Sequence, residues 1–178
     1  MKNSYNKKIL VIFFLFFLTS LTTINSQEIS IFDIARKGTL EQLKKAEAKD
    51  SNVINMESKE GYTPLTLACY YSNNKVAKYL INHVKDINSK SGFGTPLMAA
   101  VVKNNKELVE ELIKNKVKLN IADQNQTTAL HYAVTFSYID IVKLLVNAKA
   151  DSSLKDNRGN SALDYAKLIG NQKIIQLF

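Results

Sequence analysis

One short phrase is written four times along this chain, and that repetition limits its fold more than any other feature. "GYTPLTLACYY" begins at Gly61, "GTPLMAAVV" at Gly94, "TTALHYAVTF" at Thr127 and "NSALDYAKLI" at Asn160. Thr63, Thr95, Thr128 and Ser161 open the phrases at spacings of 32, 33 and 33 residues. A leucine follows two residues later (Leu65, Leu97, Leu130, Leu163) and an alanine five later (Ala68, Ala100, Ala133, Ala166). A fixed period of this size marks supersecondary units that bury their apolar faces only by stacking on one another.

Each copy predicts a helix. Thr or Ser accepts hydrogen bonds from the free N–H groups at a helix start. Pro64 and Pro96 occupy the first helical position, where a missing N–H costs nothing, and Ala129 and Ala162 replace them in the later copies. Four residues past each alanine stand Ser72, Asn104, Ser137 and Gly170. These are expected to end the helix in the left-handed conformation that Gly and Asn adopt most readily. A second helix follows, with apolar pairs at helical spacing: Val76, Ala77, Leu80 and Ile81; Leu108, Val109, Leu112 and Ile113; Ile141, Val142, Leu145 and Val146. Lys78, Glu110, Glu111 and Lys143 fall on the opposite, solvated face. Polar connectors close each unit as tight turns, with Asn55, Asn88, Asn120 and Ser153 recurring in them.

The T-P-L starts, the T-A-L-H of Thr128 to His131 and the run "DIVKLLVNAKADSSLKD" from Asp140 resemble the ankyrin repeat. The resemblance covers residues 30 to 178. The stretch from Asn88 to Thr95 is one residue short, and its "SGFG" tightens that turn. The resemblance implies an all-α solenoid of stacked helix-turn-helix units with projecting β-hairpin-like turns. The expected units are an N-terminal cap over 28–58, repeats over 59–90, 91–123 and 124–156, and a C-terminal cap over 157–178. Ile31, Ile34, Leu40 and Leu43 form the inner face of the first cap, with Gly38 at its mid-turn. Ile174, Ile175 and Phe178 are expected to point inward in the last.

Residues 1–26 differ from the rest. "MKNSYNKK" is basic, "ILVIFFLFFL" is apolar and "TSLTTINSQE" is small and polar, the three regions of a secretory signal peptide. Its apolar run is half of the roughly 20 residues a membrane-spanning helix needs. Cleavage after Ser26 is expected; the alternative is an uncleaved anchor. The sequence therefore predicts a secreted or periplasmic protein of exported bacterial type, with no stable membrane insertion after cleavage. Loss of Lys2, Lys7 and Lys8 lowers the formal charge from +8 to +5. The remaining charge is dispersed lysine, with arginine only at 36 and 158. Nucleic-acid binding is not expected without a cationic patch.

Candidate chemistry is sparse. His131 lies in T-A-L-H, where the resemblance implies a histidine that ties turns together. His83 reads as a solvated helix end. Cys69, the one cysteine, follows Ala68 and reads as a core thiol. "NQT" at 125–127 fits a glycosylation acceptor. No catalytic residue, metal ligand or cofactor is expected. The resemblance implies a protein partner held on a concave surface made by hairpin tips and first helices. The candidate partner-binding residues are Tyr62, Tyr70, Tyr71, Val102, Lys103, Thr135, Phe136 and Arg158, on a chain expected to be monomeric. The alternatives are an accessory subunit of an exported enzyme, with peroxide defence as the family-level example, and a small enzyme built around His131 and Cys69.

Overall fold

The computed structural model describes residues 29–178 except Phe93; the expected signal peptide, 1–26, lies outside the described residues. Among the described residues ten α-helices run in antiparallel pairs: α1 (Ile31–Lys37) with α2 (Leu40–Lys49), α3 (Pro64–Tyr70) with α4 (Asn74–Ile81), α5 (Pro96–Val102) with α6 (Lys106–Lys114), α7 (Ala129–Thr135) with α8 (Ile139–Asn147), and α9 (Ala162–Ile169) with α10 (Gln172–Ile175). A 3₁₀ turn at Val53–Asn55 follows the first pair. First helices stack on first helices in the order α1, α3, α5, α7, α9, and second helices on second helices beside them. Among the described residues the only β pairing is three isolated antiparallel bridges, Ser91 with Gly94, Ala122 with Thr128 and Lys155 with Ser161, which close the turns ahead of α5, α7 and α9. This is the expected all-α solenoid.

The repeated phrase explains the stack. Ala68, Ala100, Ala133 and Ala166 are fully buried, and their small side chains let successive first helices approach closely. Leu65, Leu97 and Leu130 are buried beside them, each contributing about 1.5–3 kcal/mol through the apolar surface removed from water. Leu163, in the last described unit, is half-buried. The second helices bury Val76, Ala77, Leu80 and Ile81, then Leu108, Val109 and Leu112, then Ile141, Val142 and Leu145. Glu110 and Lys143 face water, as their positions predict, but Lys78 and Glu111 are half-buried, Lys78 paired with Glu107 and Glu111 accepting from Asn115.

Helix starts are satisfied by side chains. The hydroxyls of Thr63, Thr95 and Ser161 accept from the N–H groups of Thr66, Met98 and Asp164. Helix ends turn through Ser72, Asn104, Ser137 and Gly170, all left-handed with φ from 52° to 72°. Gly38 differs. Its φ of −79° and ψ of 179° are extended, so its role is space: a Cβ there would lie 2.6 Å from the Ile34 Cα. The left-handed set also includes Gln126, which stands where neighbouring turns carry Gly94 and Gly159.

The recurring asparagines do more than turn the chain. Asn55 Oδ1 accepts the Lys85 N–H at 2.8 Å, Asn88 Oδ1 the Lys118 N–H at 2.7 Å and Asn120 Oδ1 the Asp151 N–H at 2.9 Å. Each bond spans 30 or 31 residues and joins one unit to the next. Asn73 adds a tie at the start of the stack, donating to the carbonyls of Ile34, Ala35 and Gly38 at 2.9–3.3 Å.

The last unit departs from expectation in one detail. Ile174 is fully buried and Ile175 half-buried, but Phe178 is 37% exposed. The final helix stops at Ile175, and Leu177 packs against the core instead of Phe178.

Candidate functional site: the row of first-helix ends

The candidate residues fall mostly at the ends of the first helices, each pair sitting just before a left-handed turn residue. The pairs are Tyr70 and Tyr71, Val102 and Lys103, Thr135 and Phe136, then Leu168 and Ile169. Because α3, α5, α7 and α9 stack side by side, these pairs form one row. It is unusually apolar for a surface: Tyr71 is 50% exposed, Phe136 44%, Leu168 73% and Ile169 45%. Lys103 and Thr135 are exposed, and Tyr70 and Val102 half-buried.

Contacts hold the aromatic part of the row in shape. The Tyr70 and Tyr71 rings meet edge to face with centroids 5.4 Å apart. Arg36, at the end of α1, lies 6.0 Å from the Tyr71 ring, and Lys103 Nζ lies 5.2 Å from the Tyr70 ring. Cations over ring faces are attracted to the π electrons and help order both partners. Phe136 sits between two more tyrosines, 6.2 Å from the Tyr132 ring and 5.5 Å from the Tyr138 ring.

Tyr132 connects this cluster to the hairpin. Its hydroxyl donates to Asp123 Oδ2 at 2.7 Å, while Asp123 Oδ1 accepts from the N–H groups of Asn125 and Thr127 at 2.8 and 2.9 Å. Burial, and then the Asp123 carboxylate, push the Tyr132 phenol up to about 12, so it remains a donor. The next unit repeats the clasp: Tyr165 donates to Asp156 Oδ2 at 2.6 Å, and Asp156 Oδ1 accepts from Arg158 and Asn160. Burial raises the Asp156 pKa, but the Tyr165 hydroxyl and the two backbone donors outweigh it and hold the carboxyl below its usual range.

Two candidates lie away from the row, in the hairpin segments. Tyr62 is half-buried, and a Cβ on Gly92 would lie 3.3 Å from its hydroxyl; its ring packs against the glycine backbone of the following hairpin. Arg158 is exposed at a hairpin tip. That tip is tied to its predecessor through Asn157 N–H to the Asn125 carbonyl at 3.0 Å and Asn157 Nδ2 to the Gln124 carbonyl at 3.2 Å.

Arg36, Tyr132 and Tyr138 belong to the row although the repeat pattern does not single them out. The signals were present: Tyr132 is one helical turn before Phe136, and Arg36 ends the cap helix in register with the tyrosine pair.

The two groups considered for chemistry are structural. His131 is 1% exposed. Its Nδ1 accepts the Thr128 N–H at 3.2 Å and lies 2.8 Å from the Thr128 hydroxyl, and its Nε2 donates to the Asn160 carbonyl at 3.2 Å. Both ring nitrogens are engaged in joining two hairpins. In the first repeat Thr66 and Ser89 make the matching link, each about 3 Å from the Thr63 hydroxyl. Cys69 is fully buried and burial alone drives its thiol pKa far up, away from the reactive thiolate. His83 stacks on Tyr79 at the exposed end of α4, with centroids 3.8 Å apart. Among the described residues no three His, Cys, Asp or Glu side chains gather as a metal site, and no helix is long and apolar enough to cross a membrane.

The family model described as "Ankyrin repeats (3 copies)" matches residues 31–123 and 97–178. An ankyrin repeat protein of Rickettsia bellii is 27% identical over 164 residues, covering 90% of each chain. One of Fowlpox virus is 32% identical over 126 residues, 67% of this chain and 37% of its own. The neurogenic locus notch homolog protein 1 of Danio rerio is 32% identical over 123 residues, 68% of this chain and 5% of its own. The viral and fish proteins are thus much longer than the part this chain spans.

Proposed function

We propose that this chain, which belongs to the ankyrin repeat family, is a non-catalytic protein-binding module whose partner lies along the row of first-helix ends. Ankyrin repeats generally mediate protein–protein interaction. The observation that carries the reading here is the row itself: Tyr71, Phe136, Leu168 and Ile169 expose apolar surface in register at the ends of α3, α7 and α9, with half-buried Val102 of α5 between them. Aromatic side chains and arginine dominate the energetics of protein interfaces, and the contacts of Tyr70, Tyr71 and Phe136 with their neighbours pre-order them, which lowers the entropy lost on binding.

The module acts in an exported compartment of a bacterial cell. The basic, apolar and polar succession of residues 1–26 supports this placement, as does the full-length likeness to a bacterial protein. Mass spectrometry of the protein from the exported fraction tests it; a mature chain starting near Gln27 is the expected result, and an intact Met1 in the cytoplasm refutes it.

The groove is tested by pull-down from the native host with the protein and a Tyr70→Ala, Phe136→Ala double variant as baits. The expected outcome is a partner retained by the first and lost by the second, with the helical circular dichroism unchanged. A partner held equally by both places the interface elsewhere.

A further inference from the structure

The row has a chemical direction. At its start Arg36 is already answered by Asp33, whose Oδ1 lies 3.1 Å from the guanidinium. One unit on, Lys103 is exposed, ordered over the Tyr70 ring at 5.2 Å, and has no carboxylate partner among the described residues. Past it the row carries no further charge: Thr135, then Phe136, then Leu168 and Ile169 at its far end, of which Leu168 is 73% exposed. A cation held in place over an aromatic face invites an anion whose neighbouring groups pack on that ring. An aliphatic pair in the open invites an apolar side chain.

Resting on the reading of the row as a protein-binding groove, we propose that its ligand is a peptide segment of the partner with a carboxylate at Lys103 and a bulky aliphatic side chain at Leu168 and Ile169. Packed helices lie about 8–10 Å apart. Two steps, α5 to α7 and α7 to α9, therefore separate the two ends by about 16–20 Å. An extended chain rises about 3.3 Å per residue, so the acid and the aliphatic residue stand about five or six positions apart. Phe136 lies between them and takes the intervening side chains. Charge complementarity selects the acidic end and sets its direction along the stack.

The test is display of a random peptide library against the immobilised protein, run in parallel on Lys103→Glu and Leu168→Lys variants. Both substitutions fall on exposed positions, and circular dichroism checks that each variant keeps its helices. The expected result is enrichment of peptides with Asp or Glu about five or six residues from Leu, Ile or Val. Binding of a synthetic consensus peptide then weakens about tenfold or more in each variant. The Lys103→Glu variant should select Lys or Arg where the parent selects an acid, an inversion that loss of folding cannot produce. Peptides enriched without an acid, or peptides whose binding survives both substitutions, overturn the proposal. Failure to enrich any peptide overturns it as well, and leaves the protein-binding reading to be decided by the Tyr70→Ala, Phe136→Ala pull-down.

Discussion

Replacing Asn55, Asn88 and Asn120 together by alanine should loosen the stack without touching its core. Each side-chain oxygen accepts one backbone N–H from the next unit, at 2.8, 2.7 and 2.9 Å. A hydrogen bond of this kind contributes about 0.5–1.5 kcal/mol net, and the lower half of that range applies because the freed N–H groups of Lys85, Lys118 and Asp151 can turn to water. The three bonds lie in successive units roughly 10 Å apart, beyond the distance at which substitutions usually couple. Their sum is about 1.5–3 kcal/mol. For a chain of this size that is a fall in melting temperature of roughly 3–12 °C. Because the bonds join neighbours, weakening them should also broaden the transition, as units begin to melt independently. The assay is thermal and urea unfolding followed by circular dichroism, with Asn147→Ala as a matched control: an exposed asparagine at the end of α8, expected to change stability by less than about 0.5 kcal/mol. A triple variant that melts within about 1 °C of the parent, or no lower than the control, would refute the account of these asparagines as inter-unit ties.

Three further outcomes follow from the structure. His131→Ala strands the buried Thr128 N–H and removes the link to Asn160; it should cost about 2–4 kcal/mol in urea unfolding, and a loss below about 0.5 kcal/mol would remove its tying role. Gln126→Gly relieves a left-handed backbone (φ 57°) and should raise stability by about 0.5–1 kcal/mol net of unfolded-state entropy; a lower melting temperature would contradict this. Asp156 has a folded pKa below its unfolded value of about 3.9, so its contribution is complete above about pH 4 and is lost as pH falls through the folded value. The urea midpoint of the parent should thus fall below about pH 4, and its advantage over Asp156→Asn should narrow there; a gap that stays constant down to about pH 2 would refute the assignment.

The helices were legible because their signals are periodic and local. The Thr-x-Leu phrase and the apolar pairs of the second helices each recur within one turn of chain, and the structure buries the residues they mark except Leu163, Ile113 and Val146, which are half-buried. What the sequence concealed lies between elements. Asn55, Asn88 and Asn120 were visible as a recurrence, but a spacing cannot show that each side chain reaches forward into the next unit. The clasp of Asp123 with Tyr132, repeated by Asp156 with Tyr165, was also written twice at a 33-residue interval; its nine-residue internal spacing belongs to no single element's period. Gly38 was legible as a break but not as a place where a Cβ would strike the Ile34 backbone. The assignment of Phe178 to the interior assumed a helix that continued, whereas α10 ends at Ile175. At the row of first-helix ends the sequence marked the candidate positions, and the structure adds the partners that hold them: Arg36 for Tyr71, Lys103 for Tyr70, Tyr132 and Tyr138 for Phe136.

The inter-unit bonds reach only 26 to 39 residues along the chain, so a pull applied between the two ends would pass through every interface in turn, as through the links of a chain. Each link carries the same tension, and rupture begins at the weakest. Ser153 occupies the place of the asparagine ties, and the unit beyond it closes with a four-residue helix. Under load this protein should peel from its C-terminus, one unit at a time, giving a sawtooth of small steps rather than one large release.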